Sequence, residues 1–163
     1  MTMQLDIDKD LDALTLIVVA TFDHPVEEVW DLYADPRKLE RWWGPPTYPA
    51  TVVEHDLTAG GTVHYYMTSP EGEQHHGRWD VLDVDAPTSF SILDKFADAD
   101  GNPADGMPEA TMRLSIAGTS GGAQMTAVTT YASREALEQV LAMGMEEGLR
   151  TSMAQMDGVL AGA

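Results

Sequence analysis

The sequence predicts an α+β domain in which a curved antiparallel sheet of about seven strands wraps around a long C-terminal helix. Strand-length apolar runs follow one another from residue 50 to residue 131, separated by turn residues and without intervening helices, which indicates antiparallel pairing. An apolar stripe at three- and four-residue spacing then runs through residues 137–160, as in a helix with one buried face. Two short helices are expected after the first strand.

The composition fits one folded domain spanning residues 1–163, of which the polar and acidic residues 1–10 are expected to be loosely held. Hydrophobic residues make up 44% of the chain, but no run approaches the roughly 20 apolar residues of a membrane span. No cysteine is present, which excludes disulfides and thiolate chemistry. We therefore expect a soluble, cytoplasmic protein.

The net charge narrows the range of partners. Twenty-seven acidic residues against nine basic ones give −18, so phosphate backbones and anionic lipid headgroups would be repelled. The charge argues against nucleic-acid binding and membrane binding. Both a monomer and a homodimer remain open.

Local signals place the individual elements. The apolar, β-branched run Ala13–Phe22 predicts the first strand, and Pro25 together with two glutamates predicts a short helix over Pro25–Tyr33. A second short helix is predicted at Arg37–Trp43, and Ser133 is the expected N-cap of the long helix that runs to about Leu160. The other strands are predicted at Ala50–Asp56, Thr62–Thr68, Glu73–Val84, Ser89–Lys95, Thr111–Ala117 and Gln124–Tyr131.

The segment around Glu71 predicts a hairpin with a defined register. The more apolar face, which we assign to the concave side of the sheet, carries three pairs: Met67 opposite His75, Tyr65 opposite Gly77, and Val63 opposite Trp79. In the long helix, Gly144 and Gly148 lie on or beside the apolar stripe. Glycine is unfavourable inside a helix, so the two predict close contact with the sheet or room for a ligand.

Several short motifs occur in a fixed order, and together they resemble the family named after the activator of the heat-shock-protein-90 ATPase. They are His24-Pro25-x-x-x-Val29-Trp30, Asp35-Pro36, Trp42-Trp43-Gly44-Pro45, Gly60-Gly61, Asp98-x-Asp100-Gly101-Asn102-Pro103 and Met143-Gly144-Met145-x-x-Gly148. The family belongs to the START-like, birch-pollen-allergen-like (SRPBCC) superfamily. The resemblance implies the helix-grip fold and an apolar pocket between sheet and helix.

Aromatic and methionine residues supply the candidate pocket wall. The functional interpretation is an adaptable apolar binding site, and the alternative is a filled core, which any such fold needs. The candidates are Trp42, Trp43, Val63, Tyr65, Met67, His75, Trp79, Phe90, Met112, Tyr131, Met145 and Met153.

A metal site is not predicted, although His55, His64, His75 and His76 fall on neighbouring strands. Consecutive strand residues point to opposite faces, which separates His75 from His76, and the predicted register separates His64 from His75 in the same way. His75 alone, facing inward near a strand end, is the better candidate for a ligand hydrogen bond or for acid–base chemistry.

No catalytic residue and no cofactor are predicted. The chain has no Gly-x-Ser-x-Gly elbow, phosphate loop or dinucleotide fingerprint, and no inward-facing acid is evident on any strand. The leading expectation is a protein that binds a hydrophobic or aromatic small molecule.

Two alternatives stay open. A cyclase- or hydrolase-like enzyme would draw on Tyr65, His75 and Tyr131, together with Arg113, which is expected on the outward face. A cochaperone-like or stress-response interaction protein would instead show an exposed apolar patch.

Overall fold

A computed structural model describes residues 3–162 and contains one eight-stranded antiparallel sheet, ordered β1-β2-β8-β7-β6-β5-β4-β3. The second strand of the chain therefore pairs with the last one. The strands are β1 Gln4–Asp10, β2 Thr15–Phe22, β3 Ala50–His55, β4 Thr62–Thr68, β5 Gln74–Asp85, β6 Ser89–Ala97, β7 Ala110–Thr119 and β8 Gly122–Tyr131. The helices are α1 Val26–Ala34, α2 Pro36–Trp42, α3 Arg134–Ala142, α4 Met145–Met153 and α5 Met156–Gly162.

The sheet has eight strands where about seven were expected, and the additional strand is β1. It pairs with β2 along its whole length, from Gln4 opposite Thr21 to Asp10 opposite Thr15. The sequence signal was weak because only Leu5 and Ile7 alternate with polar residues, and both are half-buried. Charged residues along an edge strand discourage pairing with other chains, which accounts for this composition. The expectation for residues 1 and 2 lies outside the described part of the chain.

The predicted hairpin register is confirmed. In the β4–β5 pair, Met67 lies opposite His75, Tyr65 opposite Gly77 and Val63 opposite Trp79. The concave assignment also holds, because Val63 and Trp79 are completely buried. Irregularities in the β3–β4 register at Val52/Glu54 and in the β5–β6 register at Val81/Asp83 mark bulges, which bend strands and so help the sheet to curve.

The two short helices close one end of the concave face. Asp35 caps α2, its side chain accepting a hydrogen bond from the Arg37 N–H at 2.9 Å, and Pro36 occupies the first helical position. Helix α1 buries Val29, Leu32 and two aromatic side chains against the core. The pair thus acts as an apolar lid over this end of the sheet.

The C-terminal helix is broken into three segments, which corrects the prediction of one continuous helix. Ser133 caps α3 as expected, its hydroxyl accepting a hydrogen bond from the Ala136 N–H at 3.1 Å. The first break is at Gly144, whose φ of +86° is left-handed. A β-carbon on Gly144 or Gly148 would meet nothing within 4 Å, so neither glycine is required by close contact with the sheet. The positive φ accounts for Gly144, and Gly148 leaves room on α4.

The buried hydrophobic residues form two clusters rather than one. The larger contains Trp42, Trp79 and Phe90 and lies under α1, α2 and α5. The smaller contains Leu16, Tyr131, Leu137 and two further residues at the α3 end of the sheet. Residues of both clusters line a gap that remains in the packing between the sheet and the C-terminal helices.

We expect Gly144→Ala to lower the free energy of unfolding by about 1 kcal/mol, because a β-carbon is strained at this positive φ. Urea denaturation measures the change as a lower midpoint. Gly158→Ala is the matched control, since Gly158 lies within α5 with open space around it and alanine favours helix there. A Gly144→Ala protein as stable as Gly158→Ala would indicate a continuous helix in solution.

Candidate ligand-binding cavity

A cavity of about 320 Å³ lies between the concave face of the sheet and helices α3 and α4. Its wall takes residues from both buried clusters. Strands β2, β4, β7 and β8 contribute apolar surface, and helices α3 and α4 with the junction between them contribute five methionine and aliphatic side chains and two glycines. The main lining residues are Leu16, Val18, Trp43, Tyr65, Met67, Asp94, Met112, Ala127, Tyr131, Val140, Met145, Gly148, Leu149 and Met153.

The cavity opens beside the junction of α3 and α4. Met143, at this junction, lines the cavity and is 55% exposed, and the adjacent Gly144 is exposed as well. His75 lines the same cavity with a side chain that is 58% exposed. The helix break therefore coincides with the mouth, and room at Gly144 and Gly148 keeps the entrance clear.

Eight of the twelve pocket candidates line the cavity: Trp43, Tyr65, Met67, His75, Met112, Tyr131, Met145 and Met153. The other four do not. Trp42, Val63, Trp79 and Phe90 are fully buried in the larger cluster, away from the cavity wall. Trp42 lies on α2, and Trp79 and Phe90 pack against Tyr33 of α1. The sequence does not show how far these helices fill the concave space.

The adjacent tryptophans illustrate this division. Trp42 turns into the core, where its indole N–H donates to the Leu32 carbonyl at 2.8 Å. Trp43 turns to the cavity, with its ring 5.6 Å from that of Tyr65. Gln155, at the break between α4 and α5, fixes this segment because its amide donates to the Gly44 carbonyl at 2.7 Å.

The expectation that no acid faces inward was wrong, because Asp94 faces the cavity. It lies on β6 between Trp79 of β5 and Ala110 of β7, both of which are buried. The signal was present in the alternation of Phe90 and Ile92, because the next inward position in a strand is residue 94. Asp94 lines the cavity.

The environment of Asp94 is unusual for a carboxyl. Among the described residues, no side chain or backbone group forms a hydrogen bond or ion pair with it. Burial raises its pKa from the ordinary 3.8 to about 7. At neutral pH the group is therefore divided between its protonated and ionised forms, which is the condition that acid–base chemistry or charge recognition requires.

Two tyrosines lie close enough to Asp94 to respond to its charge. Burial, and then the negative charge of Asp94, raise the pKa of Tyr131 to about 12. The same two causes, in the same order, raise the pKa of Tyr65 well above its usual range. Both phenols are therefore neutral hydrogen-bond donors at physiological pH, and they converge with Asp94 on one part of the cavity.

Tyr65 owes its position to its neighbours on both sides. Opposite it on β5, Gly77 has no β-carbon, and any side chain there would collide with the phenol ring. The indole N–H groups of Trp43 and Trp79 lie near enough to the Tyr65 hydroxyl to lower its pKa, yet neither completes a hydrogen bond. The indole N–H groups of Trp43 and Trp79 are thus two buried donors without acceptors, and they lie beside a phenol that faces the cavity.

The convex face carries a separate polar cluster. Lys95 follows Asp94 in the chain but turns outward, where its ammonium pairs with Asp80 at 2.8 Å. His64 and His76 share a hydrogen bond of 2.8 Å between their rings. Arg113 is exposed, as predicted. Within residues 3–162 no group of three or more acidic or histidine side chains could hold a metal ion.

Comparison with known proteins identifies the family of this chain. Residues 23–161 match the family described as "Activator of Hsp90 ATPase homolog 1-like protein". The chain belongs to this family. Folds of the family commonly bind hydrophobic ligands. No curated protein matches the chain.

Solved structures of other members share the fold. Protein Ms6760 from Mycobacterium smegmatis is 50% identical, with a TM-score of 0.89 over 96% of this chain and 97% of that one. A protein from Arthrobacter aurescens is 40% identical, with a TM-score of 0.91 over 97% and 92%. One from Staphylococcus epidermidis is 28% identical, with a TM-score of 0.82 over 95% and 93%. The predicted family and helix-grip fold are thereby confirmed.

In this member of the family, no described helix is long and apolar enough to span a membrane. Five large apolar side chains among the described residues are exposed, namely Tyr48, Val53, Leu82, Met107 and Met143. Val53 lies on β3, Leu82 lies on β5 and the other three lie in connecting segments, and of the five only Met143 borders the cavity. The cavity is consequently the feature of this family member on which a functional argument can be built.

We expect Asp94→Asn to stabilise the protein increasingly as the pH rises. The folded pKa of Asp94 is raised, so its carboxyl carries no penalty below pH 3.8, and the penalty grows until the pH passes about 7. Each pKa unit is worth about 1.4 kcal/mol, which puts the full difference on the order of 3–4 kcal/mol. Urea denaturation of both proteins from pH 4 to pH 8 measures it.

The exposed Asp8 on β1 provides the matched control. Asp8→Asn makes the same change in net charge, and its stability relative to the wild type should not vary appreciably between pH 5 and pH 8. A constant difference between Asp94→Asn and the wild type over the same range would contradict a raised pKa at Asp94.

Proposed function

We propose that this protein binds an apolar or aromatic small molecule in the cavity between the sheet and helices α3 and α4. The observation that carries the proposal is the cavity itself, about 320 Å³ of space between the sheet and helices α3 and α4. Ligand sites typically occupy about 300–1,000 Å³, and a cavity of about 150 Å³ already suffices for benzene.

The chemistry of the wall supports an apolar ligand of variable shape. Five methionines contribute flexible and polarizable side chains that adapt to different outlines, namely Met67, Met112, Met143, Met145 and Met153. Trp43 and Tyr65 contribute flat aromatic surfaces. A ligand of about 14 non-hydrogen atoms that gains about 0.5 kcal/mol per atom would bind with a dissociation constant in the micromolar range.

The polar groups of the cavity favour a ligand with one polar end. Tyr65, Asp94 and Tyr131 are grouped, whereas the rest of the wall is mostly apolar. A small number of placed polar groups in an apolar pocket fixes the orientation of a ligand and supplies specificity. The net charge of −18 supports the expectation that nucleic acids and membrane surfaces are not partners, and the missing cysteines agree with a cytoplasmic location.

We expect Gly148→Leu to weaken binding of the neutral fluorescent probe N-phenyl-1-naphthylamine by at least about tenfold, a change of about 1.4 kcal/mol. Gly148 lines the cavity, and a β-carbon there meets nothing within 4 Å, so leucine can occupy ligand space without straining the helix. Fluorescence titration gives the dissociation constants of both proteins.

Gly158→Leu makes the same substitution on α5, outside the cavity wall, and should leave probe affinity within about twofold of the wild type. Urea denaturation confirms that all three proteins are folded. Binding that is unchanged in Gly148→Leu would place the probe elsewhere and refute the proposal for this cavity.

A second candidate function is a cyclase- or hydrolase-like enzyme, and the Asp94 cluster is the observation that favours it. A carboxyl with a pKa near 7 suits general acid–base catalysis, and two neutral phenols beside it could stabilise a developing oxyanion. Three of the expected residues, Tyr65, His75 and Tyr131, line the cavity, whereas Arg113 lies outside it.

If Asp94 acts as a general base, turnover of a short poly-β-ketone thioester should rise as the pH passes about 7 and should fall by roughly 10²–10⁴-fold in Asp94→Asn. Mass spectrometry of the product mixture measures cyclisation and hydrolysis separately. Asp8→Asn should turn over at the wild-type rate. Conversion no faster than in buffer, from a protein that binds the thioester, would reject the enzymatic candidate and leave the binding function standing.

A further inference from the structure

We propose that the ligand of this cavity is an organic cation, an amine with an apolar or aromatic body whose ammonium group pairs with the Asp94 carboxylate. The inference rests on the proposed function and names the ligand class for the same cavity. It is carried by a carboxyl that faces an apolar space and has no partner among residues 3–162. Asp94 is half-buried, and a carboxylate in a mostly apolar cavity without a counter-ion is costly. A bound cation removes that cost.

No described side chain supplies the positive charge from within. Lys95 touches the cavity, but its ammonium lies on the opposite face of β6 in an ion pair with Asp80. His76 also lines the cavity, and its ring is hydrogen-bonded to that of His64. His75 lies at the exposed mouth, with its ring 3.9 Å from the Glu73 carboxylate. The place of the counter-ion therefore remains for the ligand.

The groups around Asp94 also suit a cation. The rings of Trp43 and Tyr65 lie 5.6 Å apart in an edge-to-face pair on the cavity wall, and Tyr131 lies on the other side of Asp94. Aromatic faces attract ammonium groups, and desolvation strengthens the attraction. A carboxylate flanked by aromatic rings thus offers an ion pair and cation–π contacts together.

The charge of the whole protein acts in the same direction. A net charge of −18 gives a negative surface potential that raises the local concentration of cations and lowers that of anions near the cavity mouth. A ligand with a carboxylate or phosphate would meet this potential first and the Asp94 charge afterwards. A cationic ligand is therefore favoured both during its approach to the cavity mouth and after it has entered the cavity.

Pairing with an amine changes the protonation of Asp94. Below pH 7 the empty site holds a neutral carboxyl, and binding of R–NH₃⁺ converts it to a carboxylate while its proton passes to the buffer. The other titratable groups lining the cavity are Tyr33, Tyr65, His75, His76, Lys95 and Tyr131. The tyrosines stay neutral throughout this range and Lys95 keeps its ion pair with Asp80, so neither accounts for the released proton.

The test is isothermal titration calorimetry at pH 6 with three probes of similar shape: 1-naphthylmethylamine, 1-naphthylmethanol and 1-naphthoate. We expect the amine to bind at least about tenfold more tightly than the alcohol, and the naphthoate to bind most weakly. Repeating the amine titration in buffers of different ionisation enthalpy should show release of close to one proton per ligand. Neither effect should occur with the alcohol.

The Asp94→Asn variant tests whether Asp94 causes both the preference for the amine and the proton release. In this variant the amine should lose its advantage over the alcohol and release no proton, while alcohol binding persists. Asp8→Asn should behave as the wild type, because it removes one exposed charge and leaves the cavity intact. Amine preference or proton release that survives in Asp94→Asn would overturn the proposal and assign the effect to another group, such as His75.

The outcomes for the wild type are equally distinct. An alcohol that binds as tightly as the amine would overturn the cation proposal and leave small-molecule binding in place. Saturable binding of none of the three probes, together with no saturable binding of N-phenyl-1-naphthylamine, would count against both the cation and the proposed function.

Discussion

The whole architecture depends on one packing problem, namely how a single helical layer covers a curved sheet of eight strands. Each strand presents every second side chain to the concave face, and a close-packed interior would require the helical layer to meet all of them. Helices α1, α2 and α5 meet those at one end and form the larger buried cluster. At the other end α3 forms the smaller one. The break at Gly144 lies between these regions, where the cavity remains.

Much of this arrangement could be predicted from local rules. The β4–β5 register followed from one hairpin, because a shift by one residue would have turned Val63 and Trp79 outward. The cap at Ser133 followed from its position before an apolar stripe. The same rules failed where tertiary packing decides. Nothing local distinguishes a continuous helix from one broken at Gly144, since glycine tolerates both conformations.

The residues of the candidate site could also be predicted only in part. Residue types indicated a wall of aromatics and methionines, but they could not show which would face open space. Val63 and Tyr65 are both inward on β4, and only Tyr65 reaches the cavity, whereas Val63 is fully buried in the larger cluster. Asp94 was overlooked for a different reason. Alternation along β6 pointed inward at residue 94, and a general preference for surface acids concealed it.

Folding does not require a carboxyl at position 94, whereas a binding site can use one. An apolar residue would fill this position between Trp79 and Ala110 without the cost that burial imposes on a carboxyl. The protein has acids in abundance on its surface, and solubility has no need of one more on the concave face. A group that lowers stability in an apolar setting, with neutral phenols on either side, belongs with sites where strain is retained for function. Asp94, rather than the volume of the cavity, is therefore the feature that we expect to select the ligand.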